Sequence, residues 1–239
     1  LYIIAQVIGY ASSKFLGIKI VSELPAARRA RAIGVFIGLA WLALLLFAVT
    51  PAPYNAIALV LNGLPLGMIW GLVFGFLEGR KVSDLLGAGL CASFIVASGF
   101  VKSAGKWIME TGISEAWMPF VTGACFLPPL GFFLWMLSQV PDPTAEDIEA
   151  RVERKPMNGD ERRSFFKAYA PGLSLLVLGY VMLTAYRDFR DNFAREVWDA
   201  LGYADEPAIL TTAELPVAFG TLLAVAILVR FKNNRSALL

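Results

Sequence analysis

The chain has 239 residues, of which 57% are hydrophobic and only 17% are charged. A soluble domain carries about a quarter charged residues, so this composition excludes an ordinary soluble enzyme, a disordered chain and a collagen. The net charge of +2 provides no basic surface for nucleic acid, and the absence of His removes the usual general base and zinc ligand. The apolar residues form blocks long enough to cross a hydrocarbon core of about 30 Å.

Seven of these apolar blocks are predicted to cross the membrane as α-helices. They lack the alternating polarity of the strands in a membrane barrel and are too long for such strands. The fold class is therefore an all-α polytopic membrane protein. The blocks cover residues 1–21, 33–50, 54–77, 85–103, 117–137, 169–187 and 213–231.

A long polar segment, residues 138–168, interrupts the series of blocks and alternates acidic with basic side chains. Thr144 and Asp147 have the spacing of a capping box, which predicts a short surface helix starting at Thr144. We interpret residues 1–137 as an N-terminal helical bundle, the polar segment as a central linker, and residues 169–239 as the start of a C-terminal bundle.

The basic residues are distributed unequally between the two sides of the predicted membrane. Sixteen of the 21 Lys and Arg lie on the side of the linker. The positive-inside rule makes that side cytoplasmic. We therefore expect a multi-pass protein of the inner membrane, with a cytoplasmic linker and an external amino end. The five basic residues on the outer side are Lys102, Lys106, Arg187, Arg190 and Arg195.

Glycine recurs at every fourth position of the third block, as Gly63, Gly67, Gly71 and Gly75. This spacing produces a groove on one helix face, where the backbone of a neighbouring helix can approach closely. The groove serves either for static packing or as a smooth face along which helices slide during a conformational cycle.

Lys14 lies well inside the first block, where a charged side chain is costly and therefore indicates function. It either extends to the cytoplasmic headgroups or faces an internal cavity, where it would bind substrate. Tyr10, Asn62 and Trp70 are the uncharged candidates for the same site. Asn62 and Trp70 lie on one side of the third block, and a buried amide there needs either a neighbouring helix or a ligand.

Lys102 and Lys106 are spaced to lie on one face of the fourth helix, at its outer end. Their ammonium groups repel each other unless an anion or a carboxylate lies between them. Lys102 is therefore a further candidate for binding substrate. The alternative is that the pair anchors the helix at the membrane interface beside Trp107.

The sixth block continues without a helix breaker into a dense charged segment that contains Arg187, Asp188, Arg190 and Asp191. The spacing predicts pairs between Arg187 and Asp191 and between Asp188 and Asn192. The segment is either a solvated, self-paired helix end or part of a central cavity. In the cavity, the carboxylates would orient the Arg side chains until a substrate displaces them.

Four charged residues at the inner ends of the blocks are candidates for a gate. Glu23 and Arg28 belong to the first inner joint, and Glu78 and Arg80 belong to the second. Their ion pairs would either hold a gate closed or be ordinary surface pairs.

Several motifs resemble the major facilitator superfamily. Gly9-Tyr-Ala-Ser-Ser-Lys14-Phe resembles the second helix of its organophosphate:phosphate antiporter branch, in which Gly-Tyr-x-x-Ser-Lys-Phe occurs. Residues 61–70 look like the fourth helix of that branch, and residues 87–105 look like the fifth. The chain also resembles a bacterial group of facilitator-like proteins of unassigned function.

The resemblance implies that the seven blocks are helices two to eight of twelve, so that the chain is a fragment. It also implies that Lys14 contacts an anionic substrate and that Arg187 and Arg190 are the candidate counterparts of an Arg on helix seven. The inner loop departs from the superfamily pattern Gly-x-x-x-Asp-Arg, because here the acid is Glu23 and the first Arg is displaced to Arg28.

We therefore expect a secondary transporter that moves a small solute, with organic anions as the expected class, by alternating access of two bundles. The expected partners are the lipid bilayer, the solute and a coupling ion, with no cofactor, metal ion or nucleic acid. An enzyme is not expected, because the blocks hold no nucleophile beside a base. The alternative function is that of a non-transporting, facilitator-like membrane sensor or scaffold.

Overall fold

The computed structural model describes residues 1–80, 82–149 and 159–228, without the side chains of residues 18, 19, 22, 23, 26, 27, 84 and 148. Within these residues the chain is all-α and contains no strand. The helices are α1 (Tyr2–Glu23), α2 (Ala26–Val49), α3 (Ala56–Leu77), α4 (Ser83–Glu110), α5 (Met118–Ser138), α6 (Ala145–Glu149), α7 (Gly159–Asn192), α8 (Ala194–Ala200), α9 (Ile209–Thr212) and α10 (Glu214–Leu228).

Six helical segments among the described residues are long and apolar enough to cross a membrane, as expected of a multi-pass membrane protein. The first predicted block forms α1, a helix of 22 residues, but α1 is not one of the six. A count of seven crossings therefore stays a prediction. The six segments are Arg28–Val49, Ala56–Leu77, Leu85–Glu110, Met118–Ser138, Gly159–Asn192 and Ile209–Ile227.

Several helices are longer than the blocks that predicted them. α2 begins at Ala26 instead of residue 33, α4 continues to Glu110, and α7 begins at Gly159 instead of residue 169. A hydropathy pattern marks only the apolar part of a helix, whereas the backbone hydrogen bonds continue through charged residues at either end. The last three residues of the seventh block, 229–231, lie outside the described residues.

The short helix predicted in the linker is confirmed as α6, and so is its capping box. The Thr144 backbone N–H and the Thr144 hydroxyl both donate to Asp147 Oδ2 at 3.0 Å. In return, the Asp147 backbone N–H donates to Thr144 Oγ1 at 3.2 Å. The two residues thereby satisfy backbone groups that would otherwise lack a partner at the helix start.

Gly63, Gly67 and Gly71 of α3 pack against α1, which confirms three positions of the predicted groove, whereas Gly75 lies against Arg29 of α2. A Cβ atom on Gly67 would overlap Ser13 Oγ and would lie 2.7 Å from the Tyr10 carbonyl oxygen. A Cβ atom on Gly63 would overlap the Gln6 carbonyl oxygen. Contacts advance in the same direction along both helices, so α1 and α3 run parallel. Whether the helices slide along this groove stays a prediction.

α2 and α5 run antiparallel and complete this group of helices. The Trp41 indole N–H donates to the Phe120 carbonyl oxygen at 3.0 Å, and the two rings stack with centroids 4.6 Å apart. A Cβ atom on Gly123 of α5 would lie 2.8 Å from the Trp41 ring. The exposed side of α2 carries an apolar stripe at helical spacing, which is typical of a lipid-facing surface. The stripe consists of Val35, Leu39, Leu42, Leu46 and Val49.

α4 joins the helices on the two sides of the linker, because it packs against both α9 and α10. A Cβ atom on Gly99 would overlap the Leu210 carbonyl oxygen. The fully buried Ser103 hydroxyl donates to the Pro207 carbonyl oxygen at 2.7 Å and lies 2.7 Å from Thr211 Oγ1. Small side chains therefore permit close backbone contact here, as they do between α1 and α3.

Candidate functional site

Lys14 lies on the open side of the α1–α3 pair. Its neighbour Ser13 is fully buried against Gly67, whereas the Lys14 side chain is exposed. Lys14 Nζ donates to the Gly67 carbonyl oxygen at 3.1 Å and to Tyr10 Oη at 3.2 Å. The ammonium also lies 4.4 Å from the centre of the Tyr10 ring, within the range of a cation–π contact.

The direction of the Lys14 side chain bears on the two alternatives left open for it. Tyr10 is one turn closer to the amino end of α1, and Gly67 lies in the middle of α3. The ammonium therefore points toward the amino end of α1 and away from its predicted inner end. Long side chains on a helix usually point in this direction. The ammonium is held there by a main-chain carbonyl of the neighbouring helix α3, and a cavity around it stays a prediction.

A Lys side chain can reach the Gly67 carbonyl because of the residues that follow Gly67 in α3. The carbonyl oxygen of a helical residue lies beside the side chains three and four positions later. Here these positions are Trp70 and Gly71, and Gly71 has no side chain to cover the oxygen. The Trp70 side chain therefore leaves α3 beside the Gly67 carbonyl. Its ring also lies 5.4 Å from that of Phe94 in α4.

Asn62 joins three helices and uses both ends of its amide. Its side-chain N–H₂ donates to the Ala40 carbonyl oxygen of α2 at 2.8 Å, and its Oδ1 accepts from Gln6 Nε2 of α1 at 2.9 Å. Only 3% of the residue is exposed. Of the two alternatives for this amide, a neighbouring helix or a ligand, the structure shows the neighbouring helices.

A second set of charged residues connects α4, α7 and α10. Lys102 Nζ lies 3.5 Å from Asp191 Oδ1, so the repulsion between Lys102 and Lys106 is relieved by a carboxylate of another helix. Arg190 Nη2 lies 3.3 Å from Asp191 Oδ1 and 3.4 Å from Glu214 Oε2. We call Lys102, Arg190, Asp191 and Glu214 the outer charge cluster.

The predicted pair between Arg187 and Asp191 is wrong. Arg187 instead donates to its neighbour Asp188 at 2.9 Å through Nη2 and at 3.2 Å through Nε. Asp191 is turned toward α4, where the Lys102 ammonium attracts its carboxylate. The pair between Asp188 and Asn192 forms through the backbone, because the Asn192 amide donates to the Asp188 carbonyl oxygen at 2.8 Å.

Two of the four candidate gate residues line a pocket of about 460 Å³ at the predicted inner ends of α2 and α3. Glu78 and Arg80 line this pocket together with Asp142. Arg80 Nη2 donates to the Pro141 carbonyl oxygen at 2.6 Å, and Arg80 Nε donates to that of Phe76 at 2.9 Å. Arg80 therefore fixes the beginning of the linker to the end of α3.

The other two gate candidates do not contribute described contacts to this pocket. Arg28 is exposed, and the adjacent Arg29 takes its place by donating from Nη1 to the Gly75 carbonyl oxygen at 2.8 Å. The Glu23 side chain lies outside the described residues. In the part of the chain that the structure describes, no group of three His, Cys, Asp or Glu residues could hold a metal ion.

The whole chain, residues 1–239, matches the model of a protein family described as a family of unknown function, DUF5690. The chain belongs to this family. No curated protein and no solved structure matches it. Since the description of DUF5690 names no activity, the function has to be inferred from the side chains of the site.

In this DUF5690 chain, Lys14 contacts Tyr10 and also Gly67, which lies three residues before Trp70 in α3. Lys102, Arg190 and Asp191 belong instead to the outer charge cluster. Asn62 lies in the same group of helices as Lys14 but is buried between them. Glu214 is a member of the outer charge cluster but was not among the site residues predicted from the sequence. Its position in α10, which packs against α4, could have identified it. Using that signal requires knowledge of how α4 and α10 are aligned, and the sequence does not supply it.

Proposed function

We propose that this chain is a secondary transporter of the inner membrane, and that it moves small organic anions by alternating access of two helical bundles. The observation that carries the proposal is the Lys14 ammonium, which is exposed between helices and bonded to neutral groups, Tyr10 Oη and the Gly67 carbonyl oxygen. A cation in that position attracts an anion, because the low dielectric of the surroundings strengthens the attraction.

The distribution of charge in the N-terminal bundle supports an anionic solute. Residues 1–22, 24–77 and 85–109 contain no Asp or Glu, so these helices supply no carboxylate to neutralise Lys14. The other basic candidates differ in this respect. Lys102, Arg187 and Arg190 each have a carboxylate within 3.5 Å. Of the four cations, Lys14 can exchange its partners for an anionic solute most easily, because its partners are uncharged.

The arrangement of helices around the linker supports a mechanism of alternating access. α4 precedes the linker and packs against α9 and α10, which follow it. The contact depends on Gly99 and Ser103 and ends at the outer charge cluster. Two bundles that touch through small side chains can rock about that contact without unpacking bulky ones. The major facilitator superfamily, which the motifs resemble, is the fold that we propose for the complete arrangement.

The experiment is uptake by the full-length protein in liposomes, with inorganic phosphate, glycerol 3-phosphate, succinate and benzenesulfonate as radiolabelled probes. We expect Lys14→Ala to reduce uptake of the transported anion by about tenfold or more, because a charged hydrogen bond contributes about 1.5–3 kcal/mol. Lys14→Arg should retain part of the uptake. Lys106→Ala, which removes a Lys from the outer end of α4, should leave uptake within about twofold of the wild type.

Unchanged uptake by Lys14→Ala would remove Lys14 from the site. The sensor or scaffold alternative makes a different prediction for the wild type. An anion would then raise the thermal stability of the protein, while none of the four probes would accumulate in the liposomes.

A further inference from the structure

The Lys14 ammonium lies against one aromatic ring and near the start of a second aromatic group on α3 and α4. The ammonium lies above the exposed Tyr10 ring, with Nζ 4.4 Å from its centre. Trp70 flanks the Gly67 carbonyl that holds Nζ, and the Trp70 ring is also partly exposed. A single ammonium above an aromatic ring differs from the Arg-lined sites that recognise phosphate through several directed hydrogen bonds.

The aromatic surface continues from Trp70 to a neighbouring helix. The rings of Trp70 and Phe74 are close to parallel, at 15° and with centroids 6.1 Å apart. Phe94 of α4 lies 5.4 Å from Trp70, and its ring is inclined by 45°. Phe94 is half exposed, so the surface is open where α4 faces α3. A flat ring could add to this group in the offset or inclined arrangements that aromatic side chains prefer.

Among the described side chains of α1 and α3, the charged one is that of Lys14. Residues 2–22 of α1, all of α3 and residues 85–109 of α4 contain no Asp or Glu, and Lys102 of α4 is already paired with Asp191. One ammonium and one hydroxyl, that of Tyr10, suit one carboxylate better than a doubly charged phosphate. A lipid-facing aromatic surface would not include an exposed ammonium with neutral partners.

We propose that this surface binds a small aromatic monocarboxylate, with its carboxylate on Lys14 Nζ and its ring against Trp70 and Phe94. This inference rests on the proposed function and names the substrate class of the same site. The carboxylate replaces the Gly67 carbonyl oxygen as the main acceptor for Nζ, and the Tyr10 hydroxyl, freed from Nζ, donates to the carboxylate. The planar ring provides the selectivity, because a puckered ring of the same size cannot stack.

The test compares the binding of benzoate and cyclohexanecarboxylate to the purified full-length protein by isothermal titration calorimetry. The two acids have the same charge and the same number of carbon atoms, and they differ in the planarity of the ring. We expect benzoate to bind about 2- to 12-fold more tightly, the ratio that corresponds to one aromatic contact. Trp70→Leu should abolish this preference, whereas Trp70→Phe should retain most of it.

The control variant is Trp135→Leu, which removes an exposed Trp of α5 and should leave the preference unchanged. Equal binding of the two acids would overturn the inference, and so would binding of phosphate in place of either acid. If uptake in liposomes still depends on Lys14, the proposed function survives either of these results. If the protein neither binds nor transports an anion, the proposed function and the inference both fall.

Discussion

α1 and α7 are both long helices with polar and glycine residues in their sequences, yet their surroundings differ. α1 packs along its length into the glycine groove of α3, and this contact fixes the position of Lys14 beside Gly67. α7 has 34 residues and buries none of them against the described part of the chain. Its contacts with other helices lie at its carboxyl end, where Asp191 and Arg190 meet charges of α4 and α10.

The difference shows what glycine and charge each contribute in this fold. Gly67 matters because a neighbouring helix occupies the space where its side chain would be, whereas Gly179 of α7 has no such neighbour within 4 Å. Lipid is as apolar as a Leu side chain, so close packing holds membrane helices together where the hydrophobic effect does not. α1 is therefore positioned by packing, and α7 is positioned by ion pairs at one end.

The largest effect that we predict is that of filling the glycine groove. Gly67→Val should reduce the free energy of unfolding by at least about 1–3 kcal/mol, because its side chain would overlap Ser13 Oγ and force α1 away from α3. Gly179→Val is the matched control on α7 and should change this free energy by less than about 0.5 kcal/mol. The measurement is denaturant unfolding of the purified protein in detergent. Equal effects of the two substitutions would contradict the comparison between α1 and α7.

A smaller effect is predicted for the ion pair that attaches α7 to α4. A double-mutant cycle with Lys102→Met and Asp191→Asn should give a coupling free energy of at most about 1 kcal/mol, and added salt should reduce it. The same cycle with Arg187→Met and Asp188→Asn should give a value close to zero, because both residues belong to one exposed helix end. If the coupling free energy for Arg187 and Asp188 exceeded that for Lys102 and Asp191, the outer charge cluster would not be what positions α7.

The helical class, the glycine groove and the capping box of α6 could be predicted from the sequence, because each depends on residues a few positions apart. The pair between Arg187 and Asp191 was predicted wrongly, since local spacing does not reveal that Lys102 of another helix attracts Asp191. The contact between Gln6 and Asn62 was not predicted for a related reason. It depends on the register of α1 against α3, which only the packed structure defines.

Lys14 illustrates the limit of prediction for the candidate site. A charged side chain inside an apolar block is energetically costly, and this cost identified Lys14 as a functional candidate. The sequence did not reveal the direction in which the side chain points. The hydrogen bond to the Gly67 carbonyl oxygen defines that direction, and it depends on the packing of α1 against α3. The contact between Trp70 and Phe94 likewise depends on the position of α4 beside α3.

The proposed function requires that Lys14 faces a water-filled cavity and not lipid, and thiol labelling distinguishes the two. Lys14→Cys and Val35→Cys would each be made in a background that carries Cys91→Ser and Cys125→Ser. Val35→Cys is the matched control for Lys14→Cys, because each residue lies nine positions from the predicted inner end of its helix. Val35 belongs to the apolar stripe of α2. A charged, membrane-impermeant thiol reagent reacts with the thiolate, which forms in water. We expect the reagent to label Lys14→Cys and to leave Val35→Cys unlabelled, whereas two equally unreactive positions would place Lys14 in lipid.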